Sequence, residues 1–177
     1  FKSLITLQIK EPLQEIELSK EIVKIGIITD NTSKEVKSQY EENPYPRWRY
    51  GNPYKQLNAS YNQIINNGIK PNHIKSDIVI NVIKILIAGC GTGNQILEAQ
   101  KYKNAKITAI DISSSSLSYA QRKINELGIK NVKLIEMDIL EVSLLKEKFD
   151  IIECEGVLHH MADPLKGLHS LVNILSD

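Results

Sequence analysis

The chain has 177 residues, enough for one domain with a core of its own plus an appended segment. Apolar residues make up 42% and charged residues 24%, an ordinary globular mixture, and 22 Lys and Arg against 21 Asp and Glu leave a net charge of +1, which excludes a strong field aimed at nucleic acid or an anionic membrane. No apolar run approaches the roughly 18 residues of a membrane span, no signal-peptide pattern follows Phe1, and two cysteines, Cys90 and Cys154, make no disulfide framework, so the expected compartment is a reducing cytoplasm.

Residues 1–40 mix charges with apolar residues such as Leu4, Ile9, Ile22 and Ile27 without a clear period, and read as irregular or partly helical. Residues 40–56, YEENPYPRWRYGNPYKQ, hold three prolines and a glycine, which forbid a regular helix. A linker is one reading. The concentration of Tyr40, Tyr45, Trp48, Tyr50 and Tyr54 supports another, an extended segment that packs on a domain or covers a pocket. Residues 57–80 are polar and Asn-rich and read as a connecting segment.

From there strands and helices alternate. Val82 to Ala88 is an apolar run ending in GCGTG, followed by a short helix over 94–102. Ile107 to Ile110 is a second strand, ending at Asp111. Ser113 or Ser114 can N-cap a helix with Leu117, Ala120, Ile124 and Leu127 on one stripe, and Gly128 stands where such a helix ends. Val132 to Met137, ending at Asp138, is a third strand, and Phe149 to Cys154 a fourth. Asp163-Pro164 opens a last helix, with Leu165, Leu168, Leu171, Val172 and Leu175 at helical spacing. The alternation predicts an α/β fold with a parallel sheet covered on both faces.

Gly89-Cys90-Gly91-Thr92-Gly93 stands between a strand and a helix, where glycines let the backbone turn sharply and approach a ligand closely. Alone, this spacing also fits a plain tight turn. Asp111 follows about 20 residues later at the end of the next strand, where a carboxylate can accept from both hydroxyls of a ribose; taken singly it also fits a capping aspartate. The dinucleotide pattern G-x-G-x-x-G needs a glycine at position 94, which is Asn94, and the third glycine is Gly93 instead. That favours a nucleoside ligand without a pyrophosphate.

The stretches ILIAGCGTGNQ, ITAIDIS, VKLIEMDIL and FDIIECEGVLHHMADP together resemble the four successive strand-end motifs of class I S-adenosylmethionine-dependent methyltransferases, over roughly residues 80–175. YEENPYPRW further resembles a segment that precedes the methyltransferase domain in some bacterial proteins carrying tetratricopeptide repeats. The resemblance implies a Rossmann-like sheet and S-adenosylmethionine as cofactor. It implies that Ala88, Gly89, Cys90, Gly91 and Gly93 line the cofactor's methionine and ribose, and that Asp111 binds the ribose with Ile112 against the adenine. It gives Asp138 the adenine amino group, the Ile139 N–H a ring nitrogen, and Glu155 the methionine end or the substrate. Many members carry an acid two residues before the first glycine; here it is Ile87, so backbone carbonyls are expected to receive the cofactor's amino group.

Methyl transfer from a sulfonium depends mostly on alignment, and a general base is needed only where the acceptor must lose a proton. His159, with His160 beside it, is the candidate, since imidazole titrates near neutrality and the pair follows the fourth strand; the competing reading is that both merely pack the loop. No Cys/His cluster gives the pair metal-ligand spacing. Cys154 reads as a small buried hydrophobe and Cys90 as a small residue in the turn.

Two rivals stand beside the methyltransferase reading. A nicotinamide-dependent oxidoreductase shares the fold logic, but Asn94 and the VLHH stretch speak against it. A methyltransferase-like binding subunit without turnover differs in no sequence feature. The methyl acceptor is unidentified: small molecule, protein and RNA are all open, with near-neutral charge weighing mildly against RNA. The expected organisation is an N-terminal extension over 1–56, a connecting segment over 57–80 and the cofactor-binding domain over 81–177. Class I domains have seven strands, of which four are placed here in the order 3-2-1-4. The domain is therefore expected to be C-terminally truncated, with the fourth strand as an edge and marginal stability on its own.

Overall fold

Ile83–Ala88 (β2) is buried on both faces, as a central parallel strand must be, with only Lys84 exposed. Ile83, Ile85 and Ile87 point to one side and Leu86 and Ala88 to the other, so one strand feeds two cores. A computed structural model describes residues 1–55, 57, 61–74 and 81–176. Of the connecting segment, residues 58–60 and 75–80 lie outside the described residues.

Around β2 run Ala105–Asp111 (β3), Val132–Glu136 (β4) and Ile151–Glu153 (β5), all parallel. These are the four expected strands in the expected 3-2-1-4 order. A fifth, Val23–Lys24 (β1), pairs with β4, so the sheet reads β1-β4-β3-β2-β5. The fourth strand is shorter than the Phe149–Cys154 expected. Its first position is extended by the chain end: Phe149 N–H donates to the Ile174 carbonyl at 3.0 Å, and Ser176 N–H to the Phe149 carbonyl at 2.8 Å. That edge is therefore partly paired, and the N-terminal extension joins the opposite edge.

One layer holds Asn94–Ala99 (α5) and Ser114–Leu127 (α6), whose Ile96, Leu117, Ala120 and Ile124 meet Ile85, Ile87 and Ile107. Ser113 Oγ accepts from Ser116 N–H at 3.0 Å at the start of α6, and Gly128, at φ +67°, ends it. The other layer holds the 3₁₀ turn Ile139–Leu145 and Pro164–Val172 (α7), with Val142, Phe149 and Leu171 in its core. Asp163 Oδ1 accepts from Leu165 and Lys166 N–H, as expected of a cap. The apolar stripe of α7 is only partly used: Leu171 is buried, while Leu165, Leu168 and Val172 are exposed, because the helix turns Gly167 toward Met161.

The N-terminal region is more regular than its pattern suggested. It contains Lys2–Ile5 (α1), a π-helical turn Thr6–Lys10, Glu11–Ser19 (α2) and Asn31–Glu42 (α3); Tyr61–Gly68 (α4) follows the aromatic segment. The absence of an apolar period in α2 has a reason. It docks on α6 through charge: Arg122, 1% exposed, meets Glu15 at 2.9 Å, Glu11 at 3.1 Å and Glu126, and Arg47 also meets Glu15 at 2.6 Å. Glu136, at the end of β4, binds Lys24 of β1 at 2.6 Å and Lys37 of α3. Burial pushes Glu136 up, but hydrogen bonds from Lys24 and Lys37 and their charges outweigh it and hold the carboxyl below its ordinary value. Among the described residues no helix is long and apolar enough to cross a membrane.

Candidate functional site

A cavity of about 320 Å³ lies at the carboxyl ends of the strands, where open parallel sheets bind ligands. Four of the strands contribute residues at or just past their ends: Gly89 to Thr92 after β2, Asp111 closing β3 with Ile112 after it, Met137 to Ile139 after β4, and Glu155 to Val157 after β5. The opposite wall comes from the N-terminal region, with Ser33, Val36 and Tyr40 of α3 and then Tyr45 and Pro46.

The glycine turn is required sterically. Gly89 sits at φ +81°, and a Cβ there would lie 2.2 Å from Val157 Cγ2, so only glycine lets the turn lie against the loop after β5. Gly93, at φ +92°, does a different job: a Cβ would lie 3.0 Å from Ala120 Cβ, so its absence brings α5 close to α6. Of the residues expected in the turn, Gly89, Cys90 and Gly91 line the cavity, while Gly93 and the fully buried Ala88 lie beside that lining.

Asp111 ties the turn to the next strand. Its Oδ2 accepts from Gly91 N–H at 2.8 Å and its Oδ1 from Ser113 N–H at 2.9 Å. Burial raises its pKa, the Ser113, Gly91 and Ile112 amides oppose that rise, and the nearby Glu41 charge adds to it. Asp138, 4% exposed, accepts from Leu140 N–H at 2.9 Å and opens the turn that positions Ile139. Ser116 Oγ on the cavity wall is buried and has no hydrogen-bond partner among the described residues.

Of the two histidines, His160 lines the cavity and His159 does not. Their rings lie 4.0 Å apart, and His160 meets Tyr40 edge-on at 6.4 Å. Burial and then Asp111 push the Cys90 thiol well up, and burial raises Cys154, so neither is a ready nucleophile. Among the described residues no group of His, Cys, Asp or Glu could hold a metal ion.

The aromatic segment is docked. Trp48 Nε1 donates to the Thr92 carbonyl at 3.1 Å, Thr92 Oγ1 donates to the Pro46 carbonyl at 2.5 Å, and Tyr119 donates its hydroxyl to the Trp48 carbonyl. Further on, Tyr54 N–H donates to the Leu97 carbonyl at 2.9 Å. The contribution of α3 was not expected from the sequence. Glu41 caps α6 from α3, accepting from Ser114 N–H at 2.7 Å and Ser115 N–H at 3.0 Å, and no local pattern announces a contact 73 residues away. The one available signal was Asp30 three residues before Ser33, which caps α3 by accepting from Ser33 N–H.

A family model described as a methyltransferase domain matches residues 81–177. An uncharacterized protein of Synechococcus is 40% identical over 95 residues, covering 52% of this chain and 23% of that protein. The chain thus spans about a quarter of that relative's length. PKMT2 from Rickettsia typhi, solved in complex with AdoHcy, is 28% identical with a TM-score of 0.50, over 56% of this chain and 20% of that one. Magnesium protoporphyrin IX methyltransferase from Synechocystis, solved with bound SAM, has a TM-score of 0.56 at 21% identity over 85% of this chain and 75% of its own, a likeness of fold alone.

Proposed function

The chain belongs to the class I S-adenosylmethionine-dependent methyltransferase family, and on that premise we propose that it transfers a methyl group from S-adenosylmethionine to an acceptor not yet identified. The observation that carries this reading is the convergence of a glycine turn with Asp111, Asp138 and Glu155, acids at or just past the ends of three separate strands, on one cavity. The described lining contains no Lys or Arg, which suits a cationic nucleoside better than a pyrophosphate.

The residues present fit that cofactor. The missing Cβ of Gly89 lets the turn lie against the loop after β5, and the turn's backbone lines the cavity beside Asp111 and Glu155. In this reading Gly89, Cys90 and Gly91 present backbone to the ligand, and Asp111 accepts from the ribose hydroxyls. Ile112 packs on the adenine, Asp138 accepts from its amino group, and the Ile139 N–H donates to a ring nitrogen. Bound there, the cofactor supplies a methyl group on an already activated sulfonium, so alignment carries much of the rate. Tyr40, Tyr45 and Pro46 roof the cavity and exclude water. An imidazole nitrogen of His160 takes a proton where the acceptor has one to lose.

Calorimetry with S-adenosylhomocysteine and with NAD tests the reading. Binding of the homocysteine nucleoside with no heat from NAD is expected; tighter binding of NAD would overturn the assignment. A protein that binds the nucleoside yet methylates nothing across a panel of small-molecule, protein and RNA acceptors would be a binding subunit.

A further inference from the structure

The rim of the cavity is aromatic and negatively charged. Tyr45, 72% exposed, lines it from the N-terminal region, and the exposed Glu155 and His160 line it from the segment after β5. Half-buried Tyr40 joins them and meets the His160 ring edge-on at 6.4 Å. Three carboxylates, those of Asp111, Asp138 and Glu155, line the same cavity, and among the described residues no Lys or Arg does. Lys37 of α3 is held instead between Glu136 and Glu41. Burial raises the Asp111 pKa, backbone amides oppose the rise, and the Glu41 charge adds to it, so a further acid bears on the site. Bound S-adenosylmethionine brings a sulfonium, an ammonium and a carboxylate, one net positive charge. That balances one of the three carboxylates and leaves the cavity negative.

We propose that the methyl acceptor is an amine, presented to this rim as an alkylammonium. The proposal rests on the methyltransferase reading above and names its substrate class. A phenolate, carboxylate or phosphate acceptor would add negative charge to a site that already holds a surplus, and a neutral hydroxyl gains nothing from that field. An ammonium is attracted both by carboxylates and by the faces of tyrosine rings. Its nitrogen electron pair is tied up in an N–H bond, so one proton leaves before transfer, and an imidazole nitrogen of His160 takes it. The freed lone pair forms a bond to the methyl carbon as the carbon–sulfur bond breaks, the electrons of that bond staying on sulfur. The products are the N-methylammonium and S-adenosylhomocysteine, and the proton passes from His160 to water. Tyr45 and Glu155 are specificity residues in this scheme: they hold the cation, and His160 handles its proton.

Binding to the protein saturated with S-adenosylhomocysteine separates the acceptor classes, with three probes of nearly one shape: benzylammonium, benzyl alcohol and benzoate. Saturation-transfer NMR titrations at neutral pH should rank them in that order, benzylammonium at least about fivefold tighter than the alcohol, as a cation held by aromatic rings and carboxylates implies. Tyr45→Leu and Glu155→Gln should each shrink that preference and leave the affinity for benzyl alcohol as in the parent. Both positions are exposed, and thermal melts check that each variant folds. Equal affinities for cation and alcohol, tighter binding of benzoate, or a preference that survives both substitutions overturns the proposal while the cofactor assignment stands. Methyl transfer then identifies the source of the amine. Release of S-adenosylhomocysteine with spermidine but not with a lysine homopolymer points to a small free amine, and the reverse to a lysine side chain of a protein. Transfer to catechol with none to either amine overturns the proposal. A parent protein that does not bind S-adenosylhomocysteine removes the cofactor assignment itself, a result distinct from any ranking of the probes.

Discussion

Gly91 donates its backbone N–H to Asp111 Oδ2, 2.8 Å away and 20 residues later in the chain. The same carboxylate that is proposed to hold the ribose also fixes the turn beneath it. Asp111→Ala should therefore weaken S-adenosylhomocysteine by roughly ten- to a hundredfold, about 1.5–3 kcal/mol, the loss expected for hydrogen bonds to a charged acceptor. The pH dependence has a definite sign. Burial raises this acid's pKa, so the native state holds the proton at pH values where the unfolded chain has released it, and Asp111 costs stability as pH rises through that window. Ligand binding needs the ionised form and weakens as pH falls through the same window. Relative to Asp111→Asn, the parent should gain stability and lose affinity on acidification. Equal affinities for the parent and Asp111→Ala would remove the ribose role.

Much of this was readable in advance because it is local. The strands at β2 to β5 announce themselves by apolar runs, and the turn, Asp111 and Asp138 stand at their ends. The roof was legible only as a list of aromatics. What places Tyr40 over the cavity is Glu41 on α6 and Lys37 on Glu136, contacts between residues roughly 70 to 100 positions apart. The helix α2 was hidden for a related reason. Its docking is ionic, through Glu15 and Arg122, so it leaves no hydrophobic period to detect. His159 and His160 were inseparable in the sequence, since their places in one 3₁₀ turn decide which of them reaches the cavity.

Trp48 reports on the roof. It is the only tryptophan, and its Nε1 donates to Thr92 in the glycine turn. Saturating S-adenosylhomocysteine should shift its emission or intensity, because the ligand settles against that turn. An unchanged spectrum at saturation would mean that roof and turn move independently of the ligand.

The ionic fastening of the extension should dominate its stability. Arg122→Leu leaves the buried Glu15 with Arg47 alone, at a cost of about 2–3 kcal/mol, below the full penalty of an orphaned buried charge because Arg47 remains. Glu136→Gln should cost about 1–2 kcal/mol, since both of its lysines can reach water. Glu136 has a depressed pKa, so its stabilisation is present above the unfolded value and is lost as pH falls through the folded one. Urea titrations of parent and Glu136→Gln should converge at acid pH; a gap that widens on acidification would contradict the pairing.

His160 and His159 make a paired comparison. With a protic acceptor in hand, His160→Ala should lower turnover by about 10²-fold or more, the usual weight of a positioned base, and leave cofactor affinity alone. His159→Ala should do neither. Equal turnover in the two variants would return both residues to a packing role.

The glycine turn gives the sharpest steric contrast. Gly89 and Gly128 both occupy left-handed backbone, at φ +81° and +67°, but a Cβ on Gly128 meets nothing within 4 Å, while one on Gly89 meets Val157 Cγ2 at 2.2 Å. Gly128→Ala should cost only the conformational term, about 1–2 kcal/mol. Gly89→Ala adds an overpacking term of about 1–3 kcal/mol and must displace the loop that carries Glu155 and Val157. It should therefore lose cofactor binding as well as stability. Gly89→Ala combined with Val157→Ala removes the colliding methyls but not the backbone strain, so a double-mutant cycle should show favourable coupling and only partial recovery. Urea denaturation of the four variants, with calorimetry on each, reads both effects. Equal costs at Gly89 and Gly128, or no coupling between positions 89 and 157, would show that the loop after β5 does not rest on the turn.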